Sequence, residues 1–242
     1  MPPGNSSKGS RRIPLLEDFA TYLAQATLIL FVIVNPVTGM AFYQGLTLGA
    51  TEEQKKMILR KAVLVTMVVL WFFTFLGDVV LFLLRITVNY VRITGGVYIL
   101  VYAVNSALFG KEPREAGEES LGRPAPGIPK RVAEKIAIVP LSIPLLAGPG
   151  AIASVMILNQ PIAGGIYCFQ GNLCIYGVIA TAIAVALVSL SAWVLFSLSN
   201  TLVRKFNLSM LFTLGKVMDI LMGAIAISFI IQGIAQTFNI AL

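Results

Sequence analysis

The sequence predicts an all-α polytopic membrane protein, with six transmembrane helices in two inverted three-helix repeats and the first helix of each repeat broken at mid-membrane. Three observations predict this fold. Hydrophobic residues make up 57% of the 242 positions and charged residues only 12%, an apolar share beyond that of a soluble domain. Six stretches are apolar for the roughly 20 residues that a helix needs to cross a hydrocarbon core, and they are continuously apolar, whereas the strands of a transmembrane barrel alternate in polarity. Two of the six carry helix-hostile residues near their middles, VNPVTGMA over Val34 to Ala41 and LAGPGAIA over Leu146 to Ala153.

Residues 1–18 form a polar tail containing Pro, Gly and Ser. The first expected span, Phe19 to Leu48, is interrupted at Asn35-Pro36, because proline has no N–H to give to the preceding turn. The second, Ala62 to Leu84, carries Asp78 near its outer end, and the third, Thr87 to Phe109, opens on Arg92 in RITGGVYIL. Residues 110–135 are charged and proline-bearing and read as a cytoplasmic linker. The fourth span, Ile136 to Leu158, is interrupted at Gly148-Pro149; the fifth runs from Ile175 to Ser197, and the sixth, Leu211 to Ile234, contains Lys216 and Asp219. The linker thus separates two blocks of three spans, residues 19–109 and 136–242. Three is odd, so related blocks must lie in the membrane with opposite orientations. In each block the first span is the broken one and the third opens on a single cation, Arg92 or Lys216.

The formal net charge of +7 does not point to nucleic acid, since the basic residues sit between spans and form no stripe on a soluble face. Of the 18 Lys and Arg residues, Lys8, Arg11, Arg12 and Arg85 fall on the side of the N-terminus and twelve on the other, from Lys55 to Lys205. By the positive-inside rule the basic loops are cytoplasmic and both termini outside, in the cell membrane. The two cysteines, Cys168 and Cys174, flank a short uncharged loop on the outer face. They are candidates for a disulfide, the alternative being two unpaired thiols. The chain has no histidine, so imidazole chemistry and a histidine zinc site are excluded. No nucleotide-binding GxxxxGK[ST] and no serine–lysine nucleophile motif is readable. No enzyme activity, cofactor or metal is expected.

The breaks carry the expected chemistry. A half-helix starting after Asn35-Pro36 presents unpaired N–H groups around Val37, Thr38 and Gly39, and one starting after Gly148-Pro149 does so around Gly150, Ala151 and Ile152. With the positive end of the helix dipole, such termini suit a carboxylate. The half-helices that stop at the breaks offer carbonyls, around Val32 to Val34 and Leu145 to Ala147, to an ammonium group or a cation. Asn35, Thr38 and Ser154 could contact a substrate or simply cap the local helix. The small residues Gly39, Gly148, Gly150 and Ala151 leave room for close approach, of a small substrate or of another helix.

Charges inside spans are expensive and often functional. For Asp78 and Arg92 an ion pair or snorkelling at the outer interface is the simpler reading. Asp219 lies about nine residues into the last span and one turn from Lys216. Either the two form a structural pair, or the carboxylate couples transport to protons.

VNPVTGMA, Gly77 with Asp78, RITGGVYIL and, above all, AIVPLSIPLLAGPGAIA with its Pro140, Pro144 and Pro149 ladder resemble the MarC family of six-span membrane proteins, over nearly all of Phe19 to Ile234. The chain departs from the pattern at Asp219, where similar proteins tend to have glycine. The resemblance implies a carrier for small neutral amino acids such as glycine and alanine. With the half-helix ends, it gives the expectation of a secondary transporter that holds a zwitterion between the broken spans and is driven by a proton or sodium gradient. A drug or metabolite exporter and an ion channel using the same helix ends are the alternatives. The expected partners are the substrate, the coupling ion and the bilayer; a homo-oligomer is compatible with the sequence.

Overall fold

The computed structural model describes residues 13–47, 49–109, 137–159, 174–199, 201–202 and 208–240. Among these residues the chain is helical, with no strand. The helices are α1 (Ile13–Val34), α2 (Pro36–Leu46), α3 (Glu52–Leu84), α4 (Val88–Phe109), α5 (Ala137–Leu146), α6 (Pro149–Leu158), α7 (Cys174–Ser197) and α8 (Leu208–Phe238). Residues 1–12 of the expected tail, the linker and Cys168 lie outside the described residues, and the rest of the expected tail, residues 13–18, is the start of α1.

Helix α3 starts ten residues before its expected apolar span. Thr51 and Gln54 form a reciprocal capping box, with Gln54 N donating to Thr51 Oγ1 at 3.3 Å and Thr51 N to Gln54 Oε1 at 3.0 Å. The capped start carries the helix through the charged Glu52–Lys61 segment, where Lys55 pairs with Glu52 at 3.0 Å. At 1.5 Å per residue the 33 residues of α3 reach about 50 Å, longer than the hydrocarbon core, so one end projects from it.

Four helices, α3, α4, α7 and α8, are long and apolar enough to cross a bilayer alone, and α1 with α2, bent by 42°, are so only when taken together, which gives four to five candidate spans among the described residues. The sixth expected crossing is not a regular helix. Val139 (φ −133°, ψ 120°) and Ile143 (φ −127°, ψ 121°) are extended, as the residue before a proline is forced to be. Pro140 and Pro144 therefore loosen the whole of α5, whose end is closed by a wide turn from Ala147 N to Ser142 O at 2.8 Å. Helix α6 has only ten residues. The proline ladder thus spreads the interruption over α5 instead of confining it to Gly148-Pro149.

Large apolar side chains such as Phe72, Phe75, Phe82 and Ile220 face outward, the surface a lipid solvent calls for. The buried core gathers around the breaks, from Ile33 and Val34 to Leu146, Ala147 and Phe196. Helices α4 and α8 pack along each other, with α7 against α1 and α3. Gly96 makes the α4–α8 approach possible, since a Cβ there would meet the Ala226 carbonyl oxygen at 2.8 Å. The packing has a regularity. If α1, α2, α3 and α4 are exchanged for α5, α6, α7 and α8, the α1–α7 contact maps onto α3–α5, α2–α8 onto α4–α6, α2–α7 onto α3–α6 and α1–α6 onto α2–α5, while α3–α7 and α4–α8 map onto themselves. The contact of α1 with α8 is the main exception.

Candidate functional site

The two breaks are built differently: the first is buried on both sides, while at the second Pro149 is exposed and Gly148 and Gly150 are half-buried. At the first, one residue does the breaking. Asn35 adopts a left-handed conformation (φ 47°, ψ 61°), which asparagine tolerates better than other side-chain-bearing residues. Backbone bonding runs up to it on both sides, from Asn35 N to Phe31 O and from Gly39 N to Asn35 O, each 3.0 Å. The Asn35 side chain then caps α2, its Oδ1 accepting from Thr38 N at 3.2 Å. Its Nδ2 donates to Asp219 Oδ1 at 2.9 Å, and the other carboxylate oxygen accepts from Ser106 Oγ at 2.7 Å. Asn35, Thr38 and Asp219 are each 3% exposed or less. Pro36, Val37 and Gly39 are buried with them. Burying a charge-bearing group requires partners, and here both carboxylate oxygens have one.

At the second break Gly148 is extended (φ −73°, ψ 170°) and no side chain caps α6. The first helical bond is Ile152 N to Gly148 O at 3.0 Å. Pro149 has no N–H, which leaves the Gly150 and Ala151 amides as the donors that helix geometry cannot pair. These two residues, with Gly148 and Pro149, line a cavity of about 320 Å³. Ile33 of α1, Phe42 and Leu46 of α2, the exposed Tyr98 with Ile99 and Tyr102 of α4, Leu145 and Leu146 of α5 and Met222 of α8 complete it. Tyr102 lies one helical turn from Ser106, and Met222 one turn from Asp219, so the polar cluster of the first break adjoins the cavity.

The third helix of each block meets a half-helix in the same way. On α4 a Cβ at Gly95 would overlap Ala153 of α6, and on α8 a Cβ at Gly215 would overlap Thr38 Oγ1 of α2. Four residues further on, Ile99 packs at Gly150 and Asp219 bonds to Asn35. One break is therefore answered by a hydrocarbon and the other by a carboxylate.

Of the expected substrate contacts, Gly148, Pro149, Gly150 and Ala151 line the cavity together. Asn35, Pro36, Val37, Thr38 and Gly39 are buried in the first break and do not line it. Ile152 is half-buried outside the cavity lining, and the Ser154 hydroxyl donates back to Gly150 O at 2.7 Å, four residues earlier on the same helix. Asp78 is exposed, while Arg92 is 1% exposed and donates to Gln236 near the end of α8. Lys216 is half-buried one turn before Asp219, whose hydrogen-bond partners are Asn35 and Ser106. Ser106 escaped the sequence reading. Its only signal is polarity, as part of Asn105-Ser106 in an otherwise apolar stretch.

Comparison with known proteins gives the same assignment as the motifs. Residues 20–238 match the MarC family integral membrane proteins. The chain belongs to the MarC family. A UPF0056 membrane protein of Escherichia coli, YhcE, is 30% identical over 91% of this chain and 95% of its own length. UPF0056 membrane proteins of Aquifex aeolicus and Bacillus subtilis are each 27% identical over more than nine-tenths of both chains. No solved structure matches. As a MarC family member the protein is an integral membrane protein with several apolar helices.

Proposed function

We propose that this MarC family protein is a secondary active transporter that carries small neutral amino acids such as glycine and alanine across the cell membrane by alternating access. One observation carries the reading: the uncapped N-terminus of α6 opens into the cavity of about 320 Å³. The free amides of Gly150 and Ala151 suit the substrate carboxylate. The Leu145 carbonyl, whose helical donor is missing at Pro149, suits the ammonium group. The cavity is at the lower end of the range for ligand pockets, and Phe42, Ile99 and Met222 around it offer nothing to a charged side chain. A small, neutral, zwitterionic substrate follows.

The mirrored helix contacts support two inverted repeats, in which α5 and α6 together make the sixth crossing. The charge distribution supports cytoplasmic basic loops and both termini outside. Asp219 is the candidate for proton coupling. Its carboxylate holds Asn35, the one residue at which α1 and α2 bend, so a change in its protonation would act on the hinge itself. Whether protons or sodium drive the cycle is a separate question from the substrate.

Uptake of labelled glycine or alanine into liposomes containing the pure protein tests the proposal. Saturable uptake under an imposed proton or sodium gradient is expected, and none under either gradient contradicts it. Asp219→Asn is expected to remove any pH dependence of uptake; pH-dependent uptake that survives the substitution removes Asp219 from coupling.

A further inference from the structure

A second, much smaller cavity shares Leu146 with the first but none of the residues of the Gly148-Pro149 break. It measures about 10 Å³, room for a single water-sized particle. Thr66 of α3 and Ser189 of α7 both line it, 3% and 4% exposed. Neither Thr66 Oγ1 nor Ser189 Oγ has a hydrogen-bond partner. This is unusual for hydroxyls on helices, which ordinarily bond back to their own preceding turn, as Thr74 does to Leu70 O at 2.8 Å and Thr27 to Leu23 O at 2.7 Å. For Thr66 the usual acceptor would be the Ala62 carbonyl, and that accepts from Ser142 Oγ at 3.1 Å. Two buried hydroxyls left unpaired on one cavity are costly unless something occupies it.

The remaining lining says what the occupant is. Val34 and Leu146, the last residues of α1 and α5 before the two breaks, reach the same cavity. At the end of α1 the Thr38 amide that would serve the Val34 carbonyl is taken by Asn35 Oδ1. The ends of α1 and α5 therefore reach one cavity, and helix C-termini carry partial negative charge. Hydroxyl oxygens together with a surplus carbonyl are an oxygen donor set for a hard cation, and the volume allows one dehydrated ion of small radius.

We infer that the Thr66–Ser189 cavity, at the meeting of the C-terminal ends of α1 and α5, is a binding site for a dehydrated monovalent cation of sodium's size. Joining both breaks, the ion holds the two half-helices in one arrangement. Its use as the driving ion rests on the transporter reading; its binding does not.

The test is thermal unfolding of the purified full chain in detergent, titrated with NaCl, KCl or choline chloride at constant ionic strength and without amino acid. A ligand of the folded state raises Tm with its concentration, so sodium is expected to give a saturable rise that potassium and choline do not. Thr66→Val with Ser189→Ala is expected to lose the rise, and Ser189→Ala alone to weaken the apparent sodium affinity about tenfold, the scale of one lost polar partner; the single variant suffices if the double one does not fold. Thr66→Ser, which keeps the hydroxyl, and Thr74→Val, outside the cavity, are expected to keep the rise. Equal responses to the three salts mean that the cavity holds only water and overturn the proposal, and an unaltered sodium response in the variants puts the ion elsewhere and does the same. Sodium-selective stabilisation without any amino acid uptake keeps the site while removing the transporter reading; uptake driven by pH alone, with no sodium response, leaves that reading and removes the site.

Discussion

The two breaks start from the same chemistry, a proline that deprives the preceding turn of a backbone donor, and end in opposite conditions. The Asn35-Pro36 break is closed: its side chain caps the half-helix that follows and is itself held by Asp219, which Ser106 holds in turn. The Gly148-Pro149 break is open, because glycine has no side chain to cap with and Gly148 to Ala151 line a cavity. A pair of similar interruptions has thus divided its labour. The polar one is suited to serve as a hinge, and the bare one as a receptor for an anion. The facing helices follow suit, with Asp219 at the first break and Ile99 at the second.

Substitutions at corresponding places should therefore behave unequally. The largest effect is expected of Asp219→Ala, which strands the buried Asn35 amide and Ser106 hydroxyl and should cost about 3 kcal/mol in chemical unfolding. Asn35→Ala removes a cap and places alanine at a positive φ, for an expected loss of about 2 kcal/mol by the same measurement. Gly150→Ala pushes a methyl group toward Ile99 Cγ1, 2.5 Å away, at the receptor end. It should weaken binding of glycine, read by thermal shift, about tenfold, or roughly 1.4 kcal/mol. Gly148→Ala should have the smallest effect, below about 0.5 kcal/mol, because φ −73° is open to any residue and there is no cap to lose. If Gly148→Ala proved as destabilising as Asn35→Ala, the two breaks would not differ in kind.

Much of this architecture was legible in the sequence, and the illegible part has physical reasons. Both breaks were marked by their prolines, and α4 was bounded within a residue by the turn at Arg85 to Thr87 and the charges after Phe109. The start of α3 was missed because hydropathy ends where the lipid ends, whereas the Thr51–Gln54 cap extends the helix into water. The loosening of α5 exceeds what the Gly148-Pro149 break alone predicts, because the residues before Pro140 and Pro144, Val139 and Ile143, are extended and spread the interruption over the helix. Which break is open could not be read locally, since Asn35 meets Asp219 across 184 residues of sequence and Ser106 meets it across 113. Thr66 and Ser189 passed unnoticed because an isolated hydroxyl in an apolar helix usually bonds to its own backbone; only packing reveals that these two do not.

The central claim is that the amides of Gly150 and Ala151 receive the substrate carboxylate while the first break stays closed. Amide resonances of the isotope-labelled protein in detergent, followed while glycine or alanine is titrated in, test it directly. Saturable shifts at Gly150 and Ala151 with the largest amplitude in the chain, and at most small ones at Thr38, are the expected result. Shifts centred on Val37 to Gly39, with none at Gly150 and Ala151, would contradict it.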